Sequence, residues 1–288
     1  MKKLPFSLDL EGKVVVVTGA GGVLCSGFAK TAAACNAKVA VLDLNVEAAQ
    51  KVADEIIADG GVAIAVKANV LDKACMEEAK AEIDAKLGSC DILINGAGGN
   101  NPKGSTSKDY LEEADLENIA EESGIKTFFD LDPDGISFVF NLNFLGTLIP
   151  TQVFAKDMAK KEGTSIINVS SMNAVRPLTR IPAYSGAKAA ISNFTQWLAV
   201  HFANVGIRVN AIAPGFFVSA QNQALLFNPD GSPTARTEKI LKATPMGRFG
   251  KFDELTGATL MLISSKAAGF ITGVVLPIDG GFSSYSGV

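Results

Sequence analysis

The chain has 288 residues, 48% hydrophobic and 19% charged, which suits a large packed core and is too apolar for a disordered protein. Its 26 basic and 30 acidic side chains leave a net charge of −4 with no Lys/Arg-rich block, which argues against a nucleic-acid or membrane-surface binder and favours a small-molecule ligand. The four cysteines, Cys25, Cys35, Cys75 and Cys90, form no CxxC pair, so neither a disulfide framework nor a metal site is expected and a cytoplasmic location is.

At the start of the chain, Pro5, Ser7, Asp9 and Glu11 interrupt the apolar run that a signal peptide would need, and no stretch reads as long enough for a membrane span. Val14–Thr18 holds four successive valines without polar alternation, the pattern of a strand covered on both faces. It ends in Thr18-Gly19-Ala20-Gly21-Gly22 and runs into an apolar helix, a place where backbone N–H groups meet a dinucleotide pyrophosphate. The second strand, Val39–Leu42, closes at Asp43, 24 residues after Gly19, the separation at which a carboxylate reaches adenosine ribose hydroxyls. Asp43 could instead cap the next helix, but Asn45 suits that place better.

Ala63–Val66 and Asp91–Asn95 are the third and fourth strands, the latter leading into Gly96-Ala97-Gly98. The polar stretch at about 99–126, with a helical core near Asp109–Glu122, is too long for an ordinary connection and reads as an insertion at the mouth of a crevice. Ser165–Ser170, Ile207–Ala213 and Gly273–Ile278 complete the set of strands. Between the last two, the segment at about 216–249 carries Pro229, Gly231, Pro233 and Pro245 and reads as a substrate lid built from a broken helix. Seven strands alternating with helices predict an α/β, doubly wound Rossmann-type fold, a seven-stranded parallel sheet in a single domain over 1–288, with the ligand crevice at the strand carboxyl ends.

Tyr184-Ser185-Gly186-Ala187-Lys188 places a phenol and an ammonium at i and i+4 on one helical face. A nearby cation favours the phenolate, so Tyr184 is a candidate proton donor to a carbonyl oxygen or acceptor from an alcohol, although the same spacing is common on solvated helices. Ser171 lies 13 residues before Tyr184 at the end of a strand, where its hydroxyl could share the same substrate oxygen. Taken in order, the Gly-rich turn, Asp43, Asn95–Gly98, Asn143, Ser171, Tyr184/Lys188, Pro214-Gly215 and Asp279-Gly280-Gly281 resemble the short-chain dehydrogenase/reductase family over essentially the whole chain.

The resemblance implies that Tyr184 is the acid/base, Ser171 orients the substrate oxygen, Lys188 holds the nicotinamide ribose and lowers the tyrosine pKa, and Asn143 anchors a proton-relay water. It implies NAD as cofactor, held by Gly19, Gly21, Gly22, Val23, Leu24, Asp43, Asn69, Val70, Asn95, Ala97, Gly98, Tyr184, Lys188, Pro214 and Gly215. The family's second and third turn glycines are Val23 and Cys25 here, a departure that Gly21 and Gly22 are expected to offset.

Ser170–Thr179, Asn193–Val200, Ala213–Phe217 and Tyr285–Val288 resemble the members of that family that act on sugar acids. From Gly163 to Pro229 there is no Asp or Glu, while Arg176, Arg180, Lys188 and Arg208 are present, which suggests a locally positive site for an anion unless the stretch is merely core. Arg176, Arg180 and Asn173 are the candidate substrate contacts, with Arg176 preferred because it precedes Pro177. Asn100, Asn101, Lys103, Gln221 and Asn222 are secondary candidates. His201 has no ligand partners nearby in sequence and reads as structural.

The predicted activity is NAD(H)-dependent interconversion of an alcohol and a ketone on a small hydroxylated acid. The alternatives are a dehydrogenase of another polyol or sugar, or a catalytically silent dinucleotide sensor. Apolar residues on more than one face of the helices around Phe138–Met158 and Ala189–Phe202 predict a homo-oligomer, a tetramer by the resemblance, with no nucleic-acid or membrane partner.

Overall fold

The computed structural model describes residues 8–117, 123–219 and 222–287. Seven parallel strands form one sheet in the order β3-β2-β1-β4-β5-β6-β7: β1 Val14–Thr18, β2 Lys38–Asp43, β3 Val62–Lys67, β4 Ile92–Asn95, β5 Ser165–Val169, β6 Arg208–Pro214 and β7 Val275–Ile278. Each predicted strand is present within a few residues of its expected bounds. Because neighbours pair in parallel, each connection must cross a face of the sheet, and helices cover both faces.

On one face, Val15, Val17, Val39, Val41, Ile92 and Ile94 pack against α1 (Val23–Ala34) and α2 (Val46–Ala58). The alternate residues Val14, Val16, Ala40, Leu42 and Leu93 face α3 (Lys73–Lys86) and the later helices of the opposite layer. Asn45 caps α2, its side chain accepting from Ala48 N, and Asp72 caps α3 in the same way through Cys75 N. The four cysteines are unpaired.

After β4 the chain departs from this rhythm. In place of a helix over 109–122 there is a 3₁₀ turn at Glu113–Glu117, while 118–122 lie outside the described residues. The buried carboxylate of Asp115 accepts from Lys108 Nζ at 2.8 Å and from Glu112 N at 3.0 Å, and this local pairing competes with helical hydrogen bonding.

Next come α4 (Pro133–Phe140), a π turn at Asn141–Leu145 and α5 (Gly146–Met158), one helical run of 26 residues that includes an 18-residue stretch with mean hydropathy 1.3. That run is long and apolar enough to cross a membrane, contrary to the sequence expectation, because it passes through the polar Asn141–Asn143 and Pro150 without ending. Val153, Phe154 and Met158 bury in the core beneath the sheet, which accounts for much of its apolarity.

The rest of the opposite layer is α6 (Pro182–His201). Between β6 and β7 the segment 216–249 holds two short helices, α7 (Gln223–Leu226) and α8 (Ala235–Ala243), linked by a bridge between Phe227 and Pro233. Then α9 (Asp253–Ile263) and α10 (Ser265–Ala268) return to the first layer and lead to β7. The chain's direction of travel reverses between β1 and β4, so the carboxyl ends of these strands open a crevice.

Candidate active site

A cavity of about 700 Å³ occupies that crevice. At its floor Thr18 Oγ1 accepts from Gly96 N at 3.1 Å and Ala97 N at 3.2 Å, tying the turn after β4 to the turn after β1. Gly19 has φ +67°, and a Cβ there would lie 2.8 Å from Ala97 Cα, so neither its backbone conformation nor its surroundings accept a side chain.

Gly22 starts α1 with no side-chain cap, and the first turn carries no acidic residue. Its leading N–H groups are therefore open to an anion. Gly21, Gly22, Val23 and Leu24 line this wall, and Asp43, Asn69 and Val70 line the β2–β3 side. Asp43 Oδ2 accepts from Gly21 N at 2.9 Å and its Oδ1 from Asn45 N at 2.9 Å. Ala97, Gly98, Tyr184 and Gly215 complete the lining on the β4–β6 side.

The glycine cradle, the uncapped helix and a carboxylate at the end of β2 fit a dinucleotide. Sequence reasoning missed Cys25, Leu142, Phe216, Phe217 and Ser219, which also line the cavity. Leu142 arrives there by tertiary contact, whereas Cys25 adjoins Leu24, and Phe216, Phe217 and Ser219 follow Gly215 at the start of the segment read as a lid. Cys25, at the family's third-glycine position, is accommodated because Gly96 opposite has no side chain: a Cβ on Gly96 would collide with Cys25 Sγ. Burial pushes the Cys25 thiol up to about 12.

Ser171 follows β5 and caps a 3₁₀ turn at Met172–Ala174, its Oγ accepting from Asn173 N at 3.3 Å. Tyr184 and Lys188 project one turn apart from α6, with Lys188 Nζ 5.5 Å from the phenol ring centroid and donating to Val169 O at 2.7 Å. The π turn carries Asn143, whose Nδ2 donates to Gly99 O and Val139 O, each at 2.8 Å, while its buried Oδ1 has no partner among the described residues. Gly98 lies between the two: a Cβ there would sit 2.7 Å from Asn143 Oδ1 and 3.3 Å from Lys188 Nζ. The four predicted catalytic side chains thus converge at the carboxyl ends of β4 and β5.

Their electrostatics differ from the expectation. Burial pushes the Tyr184 phenol above its ordinary value, opposed by its hydrogen bond with Ser171, and the same burial brings Lys188 down to about 8. The low dielectric penalises both charged forms, and this outweighs the attraction expected from the cation.

Four residues stand elsewhere than predicted. The Asn95 side chain turns into the interior, donating to Thr151 Oγ1 at 3.0 Å and Asn168 Oδ1 at 2.9 Å, and Pro214 is buried within β6. Arg208 starts β6 at the sheet's opposite end, where its guanidinium closes the carbonyl end of α9 through Leu262 O at 2.7 Å and Ile263 O at 3.2 Å. It adds no charge to the crevice. Arg176 is drawn to the C-terminal segment, Nε donating to Ser283 O at 2.9 Å, and does not line the cavities beside the catalytic side chains. His201 is exposed and stacked on Trp197 at 4.5 Å between centroids.

Arg180 takes a different position. Its Nε donates to Asp109 Oδ1 at 2.6 Å, and the same carboxylate accepts from Thr179 Oγ1 at 3.1 Å and Lys239 Nζ at 2.9 Å. Lys239 and Arg180 hold the Asp109 carboxyl well below the usual carboxylate range. The expected carboxylate-free region therefore receives an acid from the 99–126 segment. These groups line a second cavity of about 230 Å³, which shares Phe216 with the crevice.

Asn173 is buried, and its Oδ1 has no partner among the described residues. Asn100, Asn101 and Lys103 bond to Ser105, to the Lys103 backbone and to Asp132 respectively. Asn222 lines the crevice, and Gln221 falls outside the described residues.

The family model described as short chain dehydrogenase matches residues 13–228. An uncharacterised oxidoreductase of Haemophilus influenzae is 61% identical over 280 residues, covering 97% of this chain and 96% of that protein. A solved Haemophilus influenza structure, described as a candidate D-mannonate oxidoreductase with bound NAD, superposes with TM-score 0.92 at 61% identity, covering 97% of this chain and 98% of that one. A gluconate 5-dehydrogenase of Burkholderia cenocepacia in complex with NADP and tartrate gives TM-score 0.80 at 27% identity, covering 96% and 98%.

Proposed function

The chain belongs to the short-chain dehydrogenase family, and we propose that it interconverts D-mannonate and D-fructuronate with NAD(H). The observation that carries the alcohol–ketone reading is the cluster at the crevice in which Ser171 is hydrogen-bonded to Tyr184, Lys188 Nζ lies 5.5 Å from the Tyr184 ring, and Asn143 Oδ1 and Lys188 Nζ flank Gly98. A dinucleotide-binding sensor would need the glycine turn but not these four groups. The sugar-acid assignment is supported by the likeness to the Haemophilus protein and by the cationic cavity beside the crevice.

When bound, the nicotinamide supplies or accepts the hydride. Tyr184 donates its phenolic proton to the carbonyl oxygen as that oxygen gains charge, and the Ser171 hydroxyl holds the same oxygen. Lys188 stabilises the phenolate left behind. Asn143 Oδ1, an acceptor facing the Lys188 ammonium across Gly98, holds the water that returns a proton toward Tyr184. Asp43 accepts from the adenosine ribose hydroxyls and repels a 2′-phosphate, which favours NAD over NADP. Arg180, rather than Arg176, reads the substrate carboxylate, and Asn173 Oδ1 is an available acceptor for a substrate hydroxyl.

The segment 216–249 serves as a substrate lid over a single catalytic domain, and the protein works in the cytoplasm as a homotetramer. The test is absorbance at the nicotinamide band with NADH and a panel of keto acids and neutral ketoses. Fastest oxidation of NADH with fructuronate is expected. A preference for a neutral ketose would overturn the sugar-acid reading, and no turnover with any ketone would overturn the enzymatic one.

A further inference from the structure

The 230 Å³ cavity brings three cationic side chains, Arg180, Arg236 and Lys239, against one carboxylate, Asp109. Lys239 is engaged by Asp109, and of the Arg180 nitrogens only Nε faces it, so the terminal nitrogens of that guanidinium remain for another acceptor. Arg236 forms no ion pair among the described residues. Leu178, Ile181, Ile240 and Phe282 supply apolar walls, which strengthen the attraction of the uncompensated cations for an anion. Among the described residues, Phe216 alone lines both this cavity and the crevice that holds Tyr184.

We infer that this cavity receives the acid end of a substrate whose carboxyl group is remote from its ketone, with Arg236 of α8 and Arg180 as its ligands. Asp109 acts as a positioning residue: it fixes Arg180 and Lys239 from one side and leaves the other edge of the guanidinium to the ligand. The inference rests on the alcohol–ketone reading of the crevice. A 2-keto acid carries its carboxyl on the carbon next to the ketone, whereas fructuronate carries the two groups near opposite ends of its chain and so is the better suited to two adjoining cavities.

The test pairs kinetics with binding. In Arg236→Gln, KM for fructuronate should rise about tenfold or more, the loss of one charge-assisted contact, with kcat and the kinetics on fructose unchanged. Tartrate titrated calorimetrically into the NADH complex should weaken in parallel while NADH affinity stays constant. Asp109→Asn should raise the acid KM without changing kcat, with partial recovery in Asp109→Glu. A general loss of structure would lower the neutral ketose kinetics as well. Unchanged acid KM and tartrate affinity in Arg236→Gln would overturn the inference, as would a wild-type complex that binds no carboxylate. A wild-type protein that binds tartrate through Arg236 yet reduces no sugar acid would sustain the subsite and remove the proposed substrate instead.

Discussion

Cys25 Sγ occupies the space that a side chain on Gly96 would need, so the turn after β4 and the first helix are fitted to each other through one thiol. Gly96→Ala should therefore destabilise the protein by about 1–3 kcal/mol through overpacking. Adding Cys25→Ala should restore part of the loss, because the remaining Cβ of residue 25 lies 3.5 Å from the new methyl while Thr18 O stays 3.0 Å from it. Chemical denaturation of the two single variants and the double variant reads this coupling, and strict additivity would count against it.

Tyr184→Phe removes the proton donor and leaves the ring in its buried place. Turnover should fall about 10²-fold or more while NADH affinity, measured by fluorescence titration, stays nearly constant. Near-normal turnover would take Tyr184 out of the mechanism.

Asp43 both faces the crevice and holds Gly21 N, so its removal would disturb the turn as well as the charge. Asp43→Asn keeps an acceptor for Gly21 and discards the negative charge. The preference for NADH over NADPH, taken as the ratio of kcat/KM values, should narrow by about tenfold, equivalent to roughly 1.4 kcal/mol. A wild-type preference for NADPH would refute the role assigned to Asp43.

Burial brings Lys188 from an ordinary 10.5 down to about 8, so between those values the unfolded chain binds more protons at this site than the folded one. Its contribution to stability accordingly rises with pH across that window. Tyr184, shifted upward, acts in the opposite sense only from its ordinary value of 10.0. Urea unfolding from pH 7 to pH 9.5 should therefore show wild-type stability rising relative to Lys188→Met, and a constant difference would contradict the shift.

On the outer face of α6, Val200 is 80% exposed and Trp197 55%, with Phe194 stacked on Trp197. Phe138 on α4 is exposed as well. An apolar strip of this kind suits a second copy of the chain. Sedimentation at micromolar concentration should show an oligomer, and Val200→Glu should shift it toward the 30.0 kDa species. A wild-type monomer would contradict the assembly.

The strands were legible because buried parallel strands need no polar alternation: Val14–Val17 and Ile92–Ile94 announce themselves by composition. Tyr184 and Lys188 were legible because one helical turn separates them. Asp109 was not, since its partners Arg180 and Lys239 lie 71 and 130 residues further along the chain. Proximity to Pro177 favoured Arg176 over Arg180, yet the fold directs Arg176 to Ser283 in the C-terminal segment. The direction of the Tyr184 shift also lay beyond the sequence, because it depends on how completely helix and strand exclude water from the phenol.

Phe216 is a wall common to the two cavities and meets Phe282 edge-on, with centroids 5.2 Å apart. A ligand that turns this ring in one cavity reshapes the other. Whatever factor by which a dinucleotide tightens the grip on an acid, the acid must tighten the grip on the dinucleotide by the same factor. Because this ring belongs to both linings, Phe216→Ala is the substitution expected to weaken any such coupling between acid and dinucleotide, read as the change in acid affinity on adding NADH.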